Sequence, residues 1–134
     1  MNLKAIKTAI SAAVGRYTYP FYCGDIAALP KEVKSFPAAW LEPPRVQEVD
    51  GRRQGRITYQ VRLHLLRGVK YNDPRPAEEM LQQMEREIID IFSGLSQRTE
   101  IIAVEKLTVQ PRYFGVSGKG DLAITADAKI ITWF

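Results

Sequence analysis

The sequence predicts an α+β fold over a single domain, residues 1–134. The expected architecture is a four-stranded, mainly antiparallel sheet of two hairpins with two helices on one face, in the order α-β-β-α-β-β. Three observations carry this expectation. First, Gly55 to Leu66 alternates: Ile57, Tyr59, Val61, Leu63 and Leu65 are apolar, Thr58, Gln60, Arg62 and His64 polar, and only Leu66 is out of step. Side chains on a strand point alternately to opposite faces, so this is one long strand with a dry and a wet side. Second, Asp121 to Phe134 alternates too, with Leu122, Ile124, Ala126, Ala128, Ile130 and Phe134 on one face. Third, two stretches repeat apolar residues at helical spacing, which suits helices covering the dry side.

Taken in order, Leu3, Ile6, Ile10, Ala13 and Val14 form the stripe of a helix over about residues 2–15, with Gly15 placed to end it. Tyr17, Tyr19, Phe21 and Tyr22 crowd around Pro20; a short extended piece near Tyr19–Tyr22 and one helical turn at Lys31–Lys34 are expected. These aromatic rings could stack bases, but packing under a loop is the simpler expectation. Ala38 to Glu42 is a short strand between Pro37 and Pro43-Pro44, which belong at strand ends or an edge. Arg45–Val49 extends it to Asp50-Gly51, a two-residue hairpin signal. A tight turn there sets Trp40 opposite Val61 and Ala38 opposite Leu63.

Asn72-Asp73-Pro74 supplies an N-cap and a first-turn proline for the second helix, Ala77 to Phe92. Its face is Ala77, Met80, Leu81, Met84, Ile88, Ile91 and Phe92, with Gly94 as its stop. Ile101 to Arg112 is a strand in which Glu105 interrupts the apolar face, as a bulge would. The glycine-rich stretch 113–120 joins it to the last strand.

Composition excludes several classes of function. The 46% hydrophobic and 25% charged content is that of an ordinary globular domain, and no apolar run approaches the ~18 residues of a membrane span. The N-terminus lacks the apolar block of a secretory signal. One cysteine, Cys23, excludes an internal disulfide framework and a cysteine zinc cage. These features fit a reducing cytoplasm and no membrane.

No catalytic motif stands out, and no enzyme activity, cofactor or metal is expected. Gly115-Val-Ser-Gly-Lys-Gly120 lacks the spacing of a phosphate loop and precedes a strand where such a loop opens a helix. Ser117 lacks the second glycine of a nucleophile elbow, and Gly115–Gly118 joins strands where a KH clamp joins helices. His64, the single histidine, reads as a solvated or hydrogen-bonded strand residue. Cys23 has no base partner and reads as a small inert side chain.

Charge is distributed unevenly. Residues 45–75 hold eight basic and three acidic side chains, a net of +5; residues 76–105 hold two basic and seven acidic, a net of −5. Blocks of opposite sign steer nucleic acid or complement one another between subunits. On the wet sheet face Ile131 and Trp133 are expected to be exposed, which points to a partner.

The Leu3–Val14 helix, the Phe36-Pro-Ala-Ala-Trp-Leu41 strand, the charged hairpin, the Arg56–Leu66 strand, the Asn72–Phe92 helix and the closing Ile-Ile-Thr-Trp-Phe hairpin together resemble the tail terminator (tail-completion) proteins of long-tailed phages and prophages. The resemblance covers nearly the whole chain in length, order and pattern. It implies a ring, commonly a hexamer, that caps the tail tube and meets the head–tail connector, with no catalytic residues. It also implies assembly in the host cytoplasm and a final place in the virion tail. Head-to-tail rings need two different complementary surfaces. The candidates are the basic hairpin residues Arg45, Arg52, Arg53, Arg56 and Arg62 and the acidic helix residues Glu78, Glu79, Glu85 and Glu87, with adhesion from Ile131, Trp133 and the Val46–Val49 segment. The alternative is a small nucleic-acid-binding module that uses the basic 45–75 hairpin.

Overall fold

The computed structural model describes residues 2–51, 55–68, 77–112 and 121–133. The elements are α1 (Asn2–Gly15), β1 (Phe21–Cys23), a 3₁₀ turn (Ile26–Ala28), α2 (Leu29–Glu32), β2 (Ala38–Leu41), β3 (Arg45–Asp50), β4 (Arg56–Gly68), α3 (Ala77–Leu95), β5 (Ile101–Arg112) and β6 (Asp121–Trp133). The α+β class holds, but the sheet is mixed and has six strands in the order β1-β2-β4-β6-β5, with β3 also paired to β4. β1 runs parallel to β2, and the other pairings are antiparallel. Asn72-Asp73-Pro74 and the 113–120 loop lie outside the described residues.

The long-strand prediction places the core correctly. Tyr59, Val61, Leu63 and Leu65 of β4 are buried against Ile6, Ile10 and Val14 of α1, Met84, Ile88 and Phe92 of α3, and Leu122, Ile124 and Ile130 of β6. Arg62, on the opposite face, is exposed. Of the two predicted helix stops, the first holds and the second does not. Gly15 is the last residue of α1, and the left-handed turn is made by Thr18 at φ 63°. α3 runs through Gly94 to Leu95, and the backbone N–H of Ser96 and Gln97 close it on the carbonyls of Phe92 and Gly94. The bulge expected at Glu105 is present: the β5 register shifts between Glu105 and Thr108, and Lys106 takes φ 52°.

The register of the first hairpin is different from the expected one. Trp40 pairs with His64 and Ala38 with Leu66, three positions from the partners that a tight Asp50-Gly51 turn would give. Gly51 has φ 95°, but β4 resumes only at Arg56, so the connection is longer than two residues. The Pro43-Pro44 break and a further register shift between Val46 and Glu48 account for the rest. A slip by an odd number of residues moves a side chain to the other face of a sheet. Trp40 therefore lies on the side away from α1 and α3, where the sheet was expected to be wet.

There it builds a second core. Trp40, Ala38, Leu66 and Ala123 pack under Leu29 and Val33, with Phe36, Ile26 and Tyr22 at the margin. The Trp40 Nε1–H donates to the Gly24 carbonyl at 2.9 Å, and its indole stacks on Tyr22 with centroids 6.0 Å apart. Gly24 approaches the ring closely: a Cβ there would meet the indole at 3.3 Å, and the ring would have to give by a few tenths of an ångström. The 24–36 segment, expected as a loop with one helical turn, is the lid of this second core.

Candidate functional site

Two polar arrays and one bare strand edge stand out once the sheet is assembled. The first array lies on the back of the sheet. β4 and β6 place His64 opposite Thr125, and Glu42 follows β2 beside them. His64 Nδ1 is 2.7 Å from Thr125 Oγ1, and His64 Nε2 is 2.7 Å from Glu42 Oε2. Arg112 Nε–H donates to Thr125 Oγ1 at 3.2 Å. One arrangement of protons satisfies every group: Arg112 donates to Thr125, the Thr125 hydroxyl to Nδ1, and Nε2–H to Glu42. Burial pushes the His64 pKa below its ordinary value and outweighs the opposing pull of Glu42. Neutral imidazole is the form this chain of bonds needs.

Beside it, Arg62 Nε–H donates to Asp127 Oδ1 at 2.7 Å, which holds the guanidinium pKa above its ordinary value. Carboxylate, imidazole and hydroxyl in a row are the parts of a nucleophilic relay. Here, however, Thr125 is 2% exposed and its oxygen is already bonded on two sides. The adjoining depressions are lined by Glu42, Pro43, Arg45, Gln60, Arg62 and Asp127, and by Asp25 and Ile26. Neither Thr125 nor His64 opens into them, so the geometry is that of a buried structural network.

The second array joins α3 to β4. Tyr19 donates its hydroxyl to Glu87 Oε1 at 3.1 Å, Arg67 Nε–H donates to Tyr19 Oη at 2.9 Å, and Arg67 Nη2 reaches both Glu87 oxygens at 3.3 Å. The Arg67 guanidinium also lies 4.9 Å from the Tyr19 ring centre. Glu87 is only 7% exposed. Its expected role as a surface contact is thus corrected: Glu87 balances Arg67 inside the fold, where a buried charge must be paired. Burial drives the Tyr19 hydroxyl far above its ordinary pKa.

The remaining predicted contact residues are scattered rather than gathered. Arg45 is exposed on β3, and Arg56 is exposed on β4 with its guanidinium 5.5 Å from the Trp133 ring centre. Arg62 is exposed but engaged by Asp127. Arg52 and Arg53 lie outside the described residues. Glu78, Glu79 and Glu85 are exposed on α3. Trp133 is 45% exposed, whereas Ile131 is half-buried, less open than expected. His64 likewise departs from the expected wet face; it is hydrogen-bonded but buried. Of the aromatic group, Tyr19 is buried, Tyr17 bonds to Asp90, and Tyr22 belongs to the second core.

The bare edge is β3. All six of its side chains are exposed, including Val46 at 57% and Val49 at 59%, and among the described residues it pairs only with β4. An open cleft of about 500 Å³ between the ends of α1 and α3 is lined by Ala9, Ala13, Arg16, Leu95, Gln97 and Arg98 among others. It carries no carboxylate, imidazole or hydroxyl for chemistry. Among the described residues no three metal-ligating side chains converge, and no helix is long and apolar enough to cross a membrane. No family model matches the sequence, and no curated protein matches it.

Proposed function

We propose that this chain is a structural assembly subunit that forms a homo-oligomeric ring of the tail-terminator kind, closing a phage or prophage tail tube and offering a surface for head joining. The observation that supports this best is the division of its exposed surface. One side carries the β3–β4 arm, where Arg45 and Arg56 stand with Glu48 and Asp50 beside bare Val46 and Val49; another carries Glu78, Glu79 and Glu85 on α3 around half-exposed Ile89. A ring joins two unlike surfaces of one subunit, and these two differ in charge and each include apolar groups. Exposed ion pairs add only about 0–1 kcal/mol each, so charge orients the encounter while the apolar groups hold it. The hydrogen-bonded arrays are closed networks, which suits a scaffold.

Nucleic-acid binding through residues 45–75 is the weaker proposal, because Arg62 and Arg67 of that block are already engaged by Asp127 and Glu87. The test is charge reversal away from the buried network. Arg52→Glu with Arg53→Glu should weaken ring formation, scored by native mass measurement and negative-stain imaging with isolated tail tubes. Glu79→Arg with Glu85→Arg should partly restore it. Intact ring formation together with lost retention on a DNA column would favour the nucleic-acid proposal instead.

A further inference from the structure

We propose that β3 is a self-complementary edge that pairs antiparallel with β3 of a second copy of this chain, joining the two sheets about a two-fold axis. An exposed sheet edge is a template for another strand, and proteins usually blunt it. β1 is blunt by length, being three residues long. β5 is interrupted by its bulge at Lys106 and carries Pro111, which has no N–H to donate. β3, Arg45-Val-Gln-Glu-Val-Asp50, is twice the length of β1 and holds no proline; its one irregularity is a register shift with β4 between Val46 and Glu48.

Read against itself in the antiparallel sense, that segment opposes Arg45 with Asp50, Val46 with Val49, and Gln47 with Glu48. Each of these pairs occurs twice in a symmetric dimer. Opposed side chains must share a face, and in a regular strand residues an odd number apart do not. The bulge removes this obstacle. Because the register with β4 shifts between Val46 and Glu48, Arg45, Glu48 and Asp50 lie with Gln60, Thr58 and Arg56 on one face. Val46 and Val49 lie with Tyr59 and Ile57 on the other. The dimer thus sets two arginine–aspartate pairs on the back of a continuous sheet and a row of four valines on the helix side. Among the described residues Arg45, Glu48 and Asp50 make no ion pair within the chain, so their charges are available to a partner. An isologous contact closes at two copies. It draws on the Arg45, Val46 and Val49 surface that the ring proposal also uses, so one β3 serves one contact or the other, and the dimer is tested without any ring.

Sedimentation equilibrium on the full chain at low salt tests this. The parent protein should show a monomer–dimer equilibrium. Arg45→Glu alone and Asp50→Arg alone each set like charges against one another at both ends of the pairing, and should each raise the dimer Kd about tenfold. Both positions are exposed, so circular dichroism should be unchanged. An equimolar mixture of the two variants places every carboxylate opposite a guanidinium again and should recover the parent affinity. The double variant, Arg45→Glu with Asp50→Arg, should do the same. A parent that stays monomeric at its solubility limit, single variants that dimerise like the parent, or a mixture no tighter than either variant would each overturn the proposal.

Discussion

The two ends of β4 are built from one strand but live in different surroundings. From Leu63 to Leu66 four consecutive residues are buried, because α1 and α3 cover one face and the 24–36 segment covers the other. From Arg56 to Gln60 only Tyr59 is buried, and the neighbour on the β3 side is fully exposed. Alternation of polar and apolar residues therefore marks a strand only where one face is wet. Where it lapses, at Leu65-Leu66, a second layer has been added. The closed end fixes the fold, and the open end leaves β3 bare.

The largest effect that would break this contrast is expected at Trp40. Truncating a fully buried aromatic residue costs about 3–5 kcal/mol, and Trp40→Ala also deprives the Gly24 carbonyl of its donor. Chemical denaturation should report a loss of that size, and a loss under about 1 kcal/mol would mean that the second core contributes little. Next comes Arg67→Met, which leaves Glu87 as an uncompensated carboxylate beside Tyr19. Because Arg67 is itself partly exposed, the expected cost is about 2–3 kcal/mol, and adding Glu87→Leu should recover most of it in the same measurement.

A smaller, pH-dependent effect is expected at His64. Its folded pKa lies below the ordinary 6.5, so between the two values the unfolded chain binds more protons than the folded one. Stability should then be full above about pH 7 and fall as pH drops through 6.5, with a slope of at most ~1.4 kcal/mol per pH unit. Protonation would also make Nδ1 a donor toward a Thr125 oxygen whose own hydrogen then needs another acceptor. His64→Gln should flatten that part of the stability–pH curve; an unchanged curve would place the acid sensitivity elsewhere. Smallest of all is Val49→Thr at the open end, where thermal denaturation should move by less than about 0.5 kcal/mol.

Much of this was legible from periodicity alone. The stripes of α1 and α3 and the dry faces of β4 and β6 were readable because each buries one face over many residues. The single residue out of step, Leu66, was a visible sign of the second core, but its partners were not readable. They depend on a register set jointly by Pro43-Pro44, a bulge and a loop longer than Asp50-Gly51 suggests, and an odd slip sends Trp40 to the other face. The Glu42–His64–Thr125 array was hidden for the same reason, since cross-strand neighbours follow from register and not from spacing along the chain. Glu87 looked like one more helix-surface acid because its partner Arg67 belongs to a different element.

Native-state hydrogen exchange on dilute, monomeric protein tests the contrast most directly. Amides of Leu63 to Leu66 should exchange only through global unfolding, while those of β3 should exchange at least about a hundredfold faster through local opening of the edge. Equal protection of β3 and the closed end of β4 in the monomer would contradict the account.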